Sequence, residues 1–504
     1  MRQGALAFWF AAALFFFGAA QAADKELRMA LIAAPPTLGL PFGGVGPPSS
    51  FVWNALFDTL ITPGETGELE PALALSWKAV EPTRWRFVLR PNIKFSNGEL
   101  VDATAVVTTL KWLISEAGRR TVVGGEVANI VDVRSVDDMT VDVLTDKPDA
   151  VLPKRLTAAA ILAPKAFTEL GAEKFTLTPV GTGPFTLKTW KEGGGRIVVE
   201  ANRSSWRKPN IDRIVFTVIP DPTSRIQSLM SGQIDVVIAI SPEQASQFEG
   251  TDFQTVVSPT SQVYGFGFVT TQAKNKAVQD LRVRQALNYA VNKDVITTVV
   301  MRGTMKPAGQ GATPTTFGYN PKLKPYPYDP AKAKALLAEA GYAKGLKLSS
   351  EIVTSGLPGD VGFLPLVQQD LRAVGVELEM RSTLFGDWLR KYNTNTFDTE
   401  LFGLSWNSAP YYDAIRSISY HSCDKPSAFF CDPSWMPLMA ATGLEFDVEK
   451  RRAMMQELAA KVRDSAPSLF LYEVTDLSVV AARIKNYAVK LRVPVYEALD
   501  IAPK

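Results

Sequence analysis

The residue types that most readily do chemistry, histidine and cysteine, lie close together near the C-terminal end of the chain. The sequence has a single histidine, His421, and two cysteines, Cys423 and Cys431. Two interpretations follow: a metal site that uses all three side chains, or a disulfide that closes the short loop between the cysteines. A zinc site needs more ligands than these three residues supply, so we predict a Cys423–Cys431 disulfide, no metal site and no cofactor.

The sequence does not contain the residue sets of the common hydrolases. A catalytic triad would have to use His421, which stands beside the two cysteines predicted to be paired. The motifs GxSxG, HExxH and GxxxxGK[ST] are absent. One SxxK occurs at Ser205–Lys208, but the SDN and KTG elements of acyl-transfer serine enzymes are missing, so a turn is the better interpretation. Gly181-Thr182-Gly183 is followed by Pro184, which does not fit a dinucleotide-binding motif. We therefore predict that the chain is not an enzyme.

The N-terminal residues predict export. Arg2 precedes an uncharged apolar run over residues 5–19, and the run ends in Ala20-Gln21-Ala22. This pattern is typical of a cleaved signal peptide over residues 1–22, the alternative being a buried N-terminal helix. Export to the periplasm also suits a disulfide. The net charge of +3 and the absence of a long basic run argue against nucleic acid as a partner.

The elements that must position any site alternate between strands and helices. Trp85, Phe87 and Leu89 alternate with polar residues and predict a half-buried strand, followed by a turn at Asn97-Gly98 and a helix capped by Asp102. Further strands are predicted at 26–33, 140–144, 185–190, 197–201, 214–219, 234–240, 346–353, 376–381, 469–472 and 477–481. Further helices are predicted at 222–231, 281–293, 330–340 and 364–373, and around Met454, Leu458 and Val462. The pattern indicates an α/β fold.

Four blocks of sequence resemble one known family. They are WRFVLRPNIKFSNGELVDATAVV (85–107), PVGTGPFTLKTW (179–190) leading into NRSSWRKPNIDRIVFTVIPDPTSRIQSLMSGQIDVV (202–237), LRVRQALNYAVNKDVI (281–296) with the later ALLAEAGY, and the C-terminal helix with Arg451-Arg452 followed by SAPSLFLY. Together they are similar to the solute-binding proteins of peptide- and nickel-type ABC importers, extracellular solute-binding protein family 5. The second block accounts for the SxxK as an ordinary turn of that family.

The resemblance implies a two-lobed periplasmic-binding-protein fold of the type II, large peptide-binding class, with an inserted domain and a two-strand hinge. Lobe I would comprise residues 24–50, 178–262 and 476–504, with the inserted domain at 51–177, and lobe II would comprise 263–475. The implied function is capture of a small solute in the cleft between the lobes and delivery to an ABC permease and ATPase in the inner membrane, by a monomer. A periplasmic receptor or chaperone without a transport role is the alternative.

The resemblance also suggests where the ligand lies. In the family, a Trp at the end of a lobe II strand opens the ligand-facing loop, and Trp406 in FGLSWNSAPYYD matches it. Peptide-binding members tend to carry an Asp three positions later for the ligand's amine, where this chain has Ala409. Asp413 either replaces that Asp or caps the loop. The missing anchor favours a modified or N-blocked peptide, an opine-like compound or another amphipathic conjugate over a simple peptide.

Other residues complete the predicted ligand site, each with packing inside a lobe as its alternative. Tyr411 and Tyr412 offer flat faces to a ligand, while Asn407 and Ser408 offer polar groups. Thr37 and Phe42 follow the first strand and should border the cleft, and Tyr264 stands where the chain crosses between lobes. For a ligand carboxylate, the sequence offers Arg381 or Arg390.

Overall fold

The computed structural model describes residues 25–190, 195–272, 275–354 and 362–502. The predicted signal peptide lies outside these ranges. The strands are β1 (Glu26–Leu31), β2 (Ile61–Pro63), β3 (Leu69–Pro71), β4 (Ala74–Glu81), β5 (Arg84–Leu89), β6 (Ile130–Asp137), β7 (Thr140–Thr145), β8 (Phe185–Trp190), β9 (Arg196–Ala201), β10 (Arg213–Val218), β11 (Val236–Ile238), β12 (Gln254–Phe268), β13 (Lys306–Pro307), β14 (Leu346–Ile352), β15 (Val376–Ser382), β16 (Leu401–Asn407), β17 (Ser468–Val480), β18 (Ile484–Lys485), β19 (Val489–Lys490), β20 (Val493–Pro494) and β21 (Asp500–Ile501). The helices are α1 (Ser49–Leu56), α2 (Ala103–Leu113), α3 (Val122–Glu126), α4 (Leu152–Arg155), α5 (Pro164–Phe175), α6 (Pro222–Met230), α7 (Pro242–Ser246), α8 (Leu281–Ala290), α9 (Lys293–Val295), α10 (Pro330–Glu339), α11 (Leu364–Ala373), α12 (Phe385–Thr394), α13 (Ala414–Ile418), α14 (Met436–Thr442) and α15 (Val448–Asp464).

Local sequence signals place several of these elements. Trp85, Phe87 and Leu89 are buried on one face of β5, as their alternation predicts. The Asp102 carboxylate accepts a hydrogen bond from the Ala105 amide at 3.1 Å and caps α2. Asp329 caps α10 in the same way, through the Lys332 amide at 2.9 Å. The predicted β5 strand and the predicted cap by Asp102 are confirmed, and both depend on residues close in sequence.

The main sheet runs through the molecule in the order β15-β14-β16-β12-β17-β11-β1-β10-β9-β8. We call the part built on β1 and β8–β11 the first lobe, and the part built on β14–β16 the second lobe. A separate four-stranded sheet, β4-β5-β7-β6, belongs to the inserted segment, which comprises β2–β7 with α2–α5. The mixed α/β, two-lobed fold predicted from the sequence is confirmed.

Two long strands connect the lobes. β12 pairs with β17 over most of its length, with a register shift between Pro259 and Val263. β17 also pairs with β11 of the first lobe, while β12 pairs with β16 of the second. The prediction of two separate strands at 469–472 and 477–481 is wrong, because β17 is continuous over Ser468–Val480.

A buried charge, Asp235, immediately precedes the short strand β11. Asp235 is almost fully buried and accepts hydrogen bonds from Arg28 and Arg483, which satisfy its carboxylate. Regular strand pairing covers only Val236–Ile238 of the predicted 234–240. Within the described ranges, no helix combines the length and apolar character needed to cross a membrane.

Candidate ligand-binding site

The loop that follows β16 connects the second lobe to the rest of the molecule. Trp406 near the end of β16 is fully buried, and its indole Nε1 donates to His421 Nε2 at 3.2 Å. It also packs edge-on against Phe470, with ring centroids 4.7 Å apart. Trp406 packs in the core of the second lobe, and the ligand-facing role predicted for it stays a prediction.

Asn407 and Ser408 shape the loop through their hydrogen bonds. Asn407 Oδ1 accepts from the Ala409 amide at 2.9 Å, and its carbonyl accepts from Arg416 Nη1 at 2.6 Å. The Ser408 amide donates to the Ser261 carbonyl at 3.0 Å, and its side chain is fully buried. Asn407 is partly exposed and Ser408 is buried, and the ligand contacts predicted for both residues stay predictions.

Tyr411 and Tyr412 point to different parts of the molecule. The Tyr411 hydroxyl donates to the Glu126 carboxylate and accepts from Arg155 Nη1 at 2.5 Å, and both partners belong to the inserted segment. Tyr412 has a left-handed backbone (φ 48°), and its hydroxyl donates to the Leu491 carbonyl at 3.0 Å. Burial raises the pKa of Tyr412 to about 12. Both tyrosines therefore stay neutral and connect the loop to other parts of the molecule.

Asp413 is part of a buried ion cluster. Its carboxylate caps α13 by accepting from the Ile415 amide at 3.0 Å, and it receives two hydrogen bonds from Arg451, at 2.6 and 3.1 Å. Lys154 Nζ lies 3.7 Å away. Although burial opposes ionisation, Arg451 and Lys154 hold the pKa of Asp413 below its usual value. Asp413 thus has the capping role, and in this arrangement its carboxylate is not available to a ligand amine.

The three candidates outside the loop pack within the lobes. Phe42 is fully buried and stacks on Trp112, with ring centroids 5.5 Å apart. Thr37 Oγ1 donates to the Leu40 carbonyl at 2.7 Å in the turn after β1. Tyr264 is buried and stacks on Tyr472 at 5.6 Å. Tyr264 also contacts the ring of Phe363, and the ligand-facing roles predicted for Thr37, Phe42 and Tyr264 stay predictions.

The histidine and the cysteines do not share a metal site. Cys423 and Cys431 form the predicted disulfide. His421 is buried, and its Nε2 is hydrogen-bonded to Ser468 Oγ at 2.9 Å as well as to Trp406. Burial, with a smaller effect of Lys425, lowers the pKa of His421 to about 3, so the ring is neutral. The described part of the chain contains no group of three or more His, Cys, Asp or Glu side chains placed to hold a metal.

A cavity of about 490 Å³ lies beside the loop. Its walls include Val45 from the segment after β1, Pro410 and Tyr412 from the loop after β16, and the indole of Trp206. The volume is within the range of small-molecule sites, and the ends of β1 and β16 are where α/β folds bind ligands. This cavity is the candidate ligand site.

The two carboxylates of the cavity wall, Asp58 and Glu497, both pair with Arg207, whereas the lining cations Lys490 and Arg492 pair with Glu70 and Asp476 outside it. Arg207 Nε lies 2.8 Å from Asp58 Oδ1, and Arg207 Nη1 lies 2.9 Å from Glu497 Oε1. Asp58 Oδ2 also accepts from the indole of Trp206 at 2.9 Å and from Thr182 Oγ1 at 2.6 Å. The lining carboxylates are therefore already bound, while the aromatic and proline surfaces face the cavity.

The sequence did not identify the charged residues that meet where the inserted segment contacts the second lobe. Arg416 Nη2 lies 3.3 Å from Glu126 Oε1 although 290 positions separate them in the chain, and Arg155 comes from the inserted segment, as Glu126 does. Arg381 and Arg390, the predicted carboxylate ligands, instead pair with Glu379 at 2.9 Å and with Asp387 at 3.8 Å. Ser205 and Lys208 of the SxxK donate to separate carbonyls, those of Thr182 and Arg203.

The chain is similar to bacterial solute-binding proteins both in sequence and in structure. The family model for bacterial extracellular solute-binding proteins, family 5, matches residues 68–425. The dipeptide-binding protein of Escherichia coli K12 is 27% identical over 455 residues, covering 84% of each protein. The nickel-binding periplasmic protein of the same strain is 29% identical over 359 residues, covering 66% of this chain and 67% of that protein. The structure of HbpA2 from Haemophilus parasuis superimposes with a TM-score of 0.82 at 21% identity, covering 95% of this chain and all of that one.

Proposed function

This chain belongs to family 5 of the bacterial extracellular solute-binding proteins, and we propose that it is the periplasmic solute-binding component of an ABC importer. It captures a small solute between its lobes and delivers it to a permease and ATPase in the inner membrane. It is exported through the signal peptide at residues 1–22 and acts as a monomer.

The proposed division into domains follows the sheet. Lobe I comprises residues 24–50, 178–262 and 476–504, with 51–177 inserted, and lobe II comprises 263–475. β12 and β17 form the hinge, because they pair with both halves of the sheet and β12 changes register near Pro259. Rotation about two strands moves the lobes as rigid bodies.

One observation carries the proposal: the 490 Å³ cavity is lined mainly by the first lobe and the inserted segment, and Pro410 and Tyr412 of the loop after β16 close it from the second lobe. A ligand there contacts both lobes at once, so its binding energy favours the closed form. Such a cavity is large enough for a dipeptide-sized solute.

The cavity favours a ligand without a free α-amine. Ala409 offers no carboxylate, Asp413 is held by Arg451, and Asp58 and Glu497 are both paired with Arg207. An ammonium group would therefore be buried without a partner, at a substantial free-energy cost. Aromatic and proline walls suit an apolar group, so we propose an N-blocked peptide or a similar amphipathic conjugate.

Native mass spectrometry of protein purified from periplasm tests this function. We expect an adduct of discrete mass that is lost on denaturation. Ala158 lines the cavity and is half-buried, so Ala158→Trp should fill the space and remove the adduct. Ala453→Trp, at an exposed position of α15, should retain it.

Calorimetry then assigns the class of ligand. N-acetyl-dipeptides should bind more tightly than the same peptides with a free amine. Equal or tighter binding of the free peptides would contradict the N-blocked assignment. If the Ala158→Trp variant retained the adduct, the solute would not bind in this cavity.

A further inference from the structure

One wall of the cavity is formed by the hairpin of β19 and β20, which comprises residues 488–495. Six consecutive residues of this hairpin, 490–495, line the cavity. The chain is fixed on either side of the hairpin by two buried tyrosines, Tyr487 and Tyr496, and the Tyr496 hydroxyl donates to the Phe51 carbonyl at 2.5 Å. The hairpin therefore extends along the cavity from a fixed base.

The tip of the hairpin has a strained backbone. Lys490 pairs with Val493, so Leu491 and Arg492 form a two-residue turn, and both have positive φ angles, 50° and 67°. Such a turn favours asparagine and glycine, because other side chains in the left-handed region crowd the backbone. A conformation of this kind persists only where surrounding contacts hold it in place. The tip thus depends on contacts outside the hairpin.

Side chains of the first lobe, the hinge and the inserted segment supply part of these contacts. Arg492 Nε and Nη2 each lie 2.7 Å from an oxygen of Asp476, which belongs to β17. Ser50 Oγ donates to the Arg492 carbonyl at 3.0 Å. Lys490 Nζ lies 3.1 Å from Glu70 Oε2 of β3, and both of these side chains are partly exposed. Solvent therefore reaches the Lys490–Glu70 pair, which can separate without exposing a buried charge.

The tip also reaches the second lobe. Leu491 packs against Ala409 and Tyr412 of the loop after β16, and the Tyr412 hydroxyl donates to the Leu491 carbonyl at 3.0 Å. Within the described ranges, β19 and β20 pair with each other and with no other strand. An isolated two-stranded hairpin is only marginally stable by itself. This part of the cavity wall is therefore held by the contacts of its tip and not by a sheet.

We propose that this hairpin is a lid of the cavity, which lifts when the contacts of its tip break and so lets a solute enter and leave while the lobes stay together. The inference rests on the proposed function, because the lid controls access to the same cavity. Lifting relieves the left-handed backbone at Leu491 and Arg492, which offsets part of the contacts that are lost. The rate of solute exchange then depends on the hairpin as well as on rotation of the lobes.

A single thiol inside the cavity measures how often the lid is lifted. Ala158 lines the cavity, and in an Ala158→Cys protein the new thiol is the only free one, because the two native cysteines form the disulfide. Its alkylation by N-ethylmaleimide is followed by mass spectrometry. The rate should rise about threefold with Glu70→Gln, which removes an exposed ion pair, and about tenfold with Asp476→Asn, which removes a doubly hydrogen-bonded one.

Glu377→Gln is the matched control. Glu377 pairs with Lys347 on the second lobe at 3.1 Å, the same distance as in the Lys490–Glu70 pair. In the Ala158→Cys background this change should leave the alkylation rate as it was. Equal rates in all the variants would show that the hairpin is a fixed wall and would overturn the proposal.

Small-angle X-ray scattering separates lifting of the lid from opening of the lobes. The Glu70→Gln and Asp476→Asn variants should keep the radius of gyration of the Ala158→Cys protein. Faster alkylation together with a larger radius would assign access to the lobes and overturn the lid. Neither measurement uses a ligand, so a missing adduct in native mass spectrometry would count against the proposed function and leave the test of the hairpin intact.

Discussion

The surroundings of Lys154 change the pKa of its side chain. This lysine of the inserted segment is 7% exposed, and its Nζ donates to the Gly67 carbonyl and lies 4.3 Å from the centre of the Phe317 ring. Burial lowers its pKa to about 8, with Asp413 opposing that shift. Among the further charges that act on it, Arg451 and Arg452 lower the pKa and Glu68 raises it.

The lowered pKa predicts a pH-dependent stability with a definite sign. An unfolded lysine keeps its proton until about pH 10.4, whereas native Lys154 releases it near pH 8. Between these values the unfolded state binds more protons, so the free energy of unfolding rises with pH, by up to about 3 kcal/mol from this residue. Lys154→Met should lose this rise relative to the unchanged protein. Urea unfolding between pH 7 and pH 10.5 measures it.

An exposed lysine supplies the control for this experiment. Lys165→Met, on the surface of α5, removes a lysine without opening a buried site. Its free energy of unfolding should follow that of the unchanged protein across the range. Parallel curves for all three proteins would show that Lys154 titrates as an ordinary solvated lysine.

At the scale of elements, the disulfide loop has a measurable role. The Cys423–Cys431 bond closes a short loop, and Lys425 within it donates to the Tyr392 hydroxyl of α12 at 3.0 Å. Changing both cysteines to serine frees that loop in the unfolded chain and should lower the free energy of unfolding by about 2–3 kcal/mol. Urea unfolding with and without reductant tests this. Reductant should destabilise the unchanged protein only, and equal responses would argue against a closed loop.

Sequence predicts elements well when the signal is local. The limits of α11 agree with prediction at both ends, because its apolar pattern is contained within the helix. β17 was predicted as two strands because polar residues between Glu473 and Asp476 interrupt its apolar run. Asp476 is partly exposed and pairs with Arg492 at 2.7 Å. The polar interval lies where the strand passes between the lobes, which sequence patterning alone does not reveal.

The candidate site was harder to predict than the fold. Aromatic residues near a loop have the same sequence signature whether they face a ligand, as predicted for Trp406 and Phe42, or pack in a core, as both do. Glu126 and Arg416 carry no motif, and they meet only because the inserted segment contacts the second lobe. Contacts between distant segments depend on the whole fold, so they are visible only in the structure.

At the scale of the whole molecule, the inserted segment and the second lobe touch along an extended boundary. The Ala150 amide donates to the Gly443 carbonyl at 2.9 Å, and Arg452 pairs with Glu68 at 2.8 Å. The turn between β2 and β3 also lies on this boundary, where Gly67 approaches Phe317 and Tyr412 closely. A Cβ on Gly67 would lie 2.3 Å from both the Phe317 nitrogen and the Tyr412 oxygen. Only glycine therefore allows this turn to dock.

Gly67→Ala should keep the two parts from closing fully. Gly98→Ala is a matched control, because both glycines have positive φ, 80° and 91°, but a Cβ on Gly98 meets no atom within 4 Å. Both variants bear a similar backbone strain of about 1 kcal/mol, so only Gly67→Ala adds the clash. Small-angle X-ray scattering should show a larger radius of gyration for Gly67→Ala than for Gly98→Ala. Equal radii would mean that the β2–β3 turn does not limit how closely the inserted segment and the second lobe approach each other.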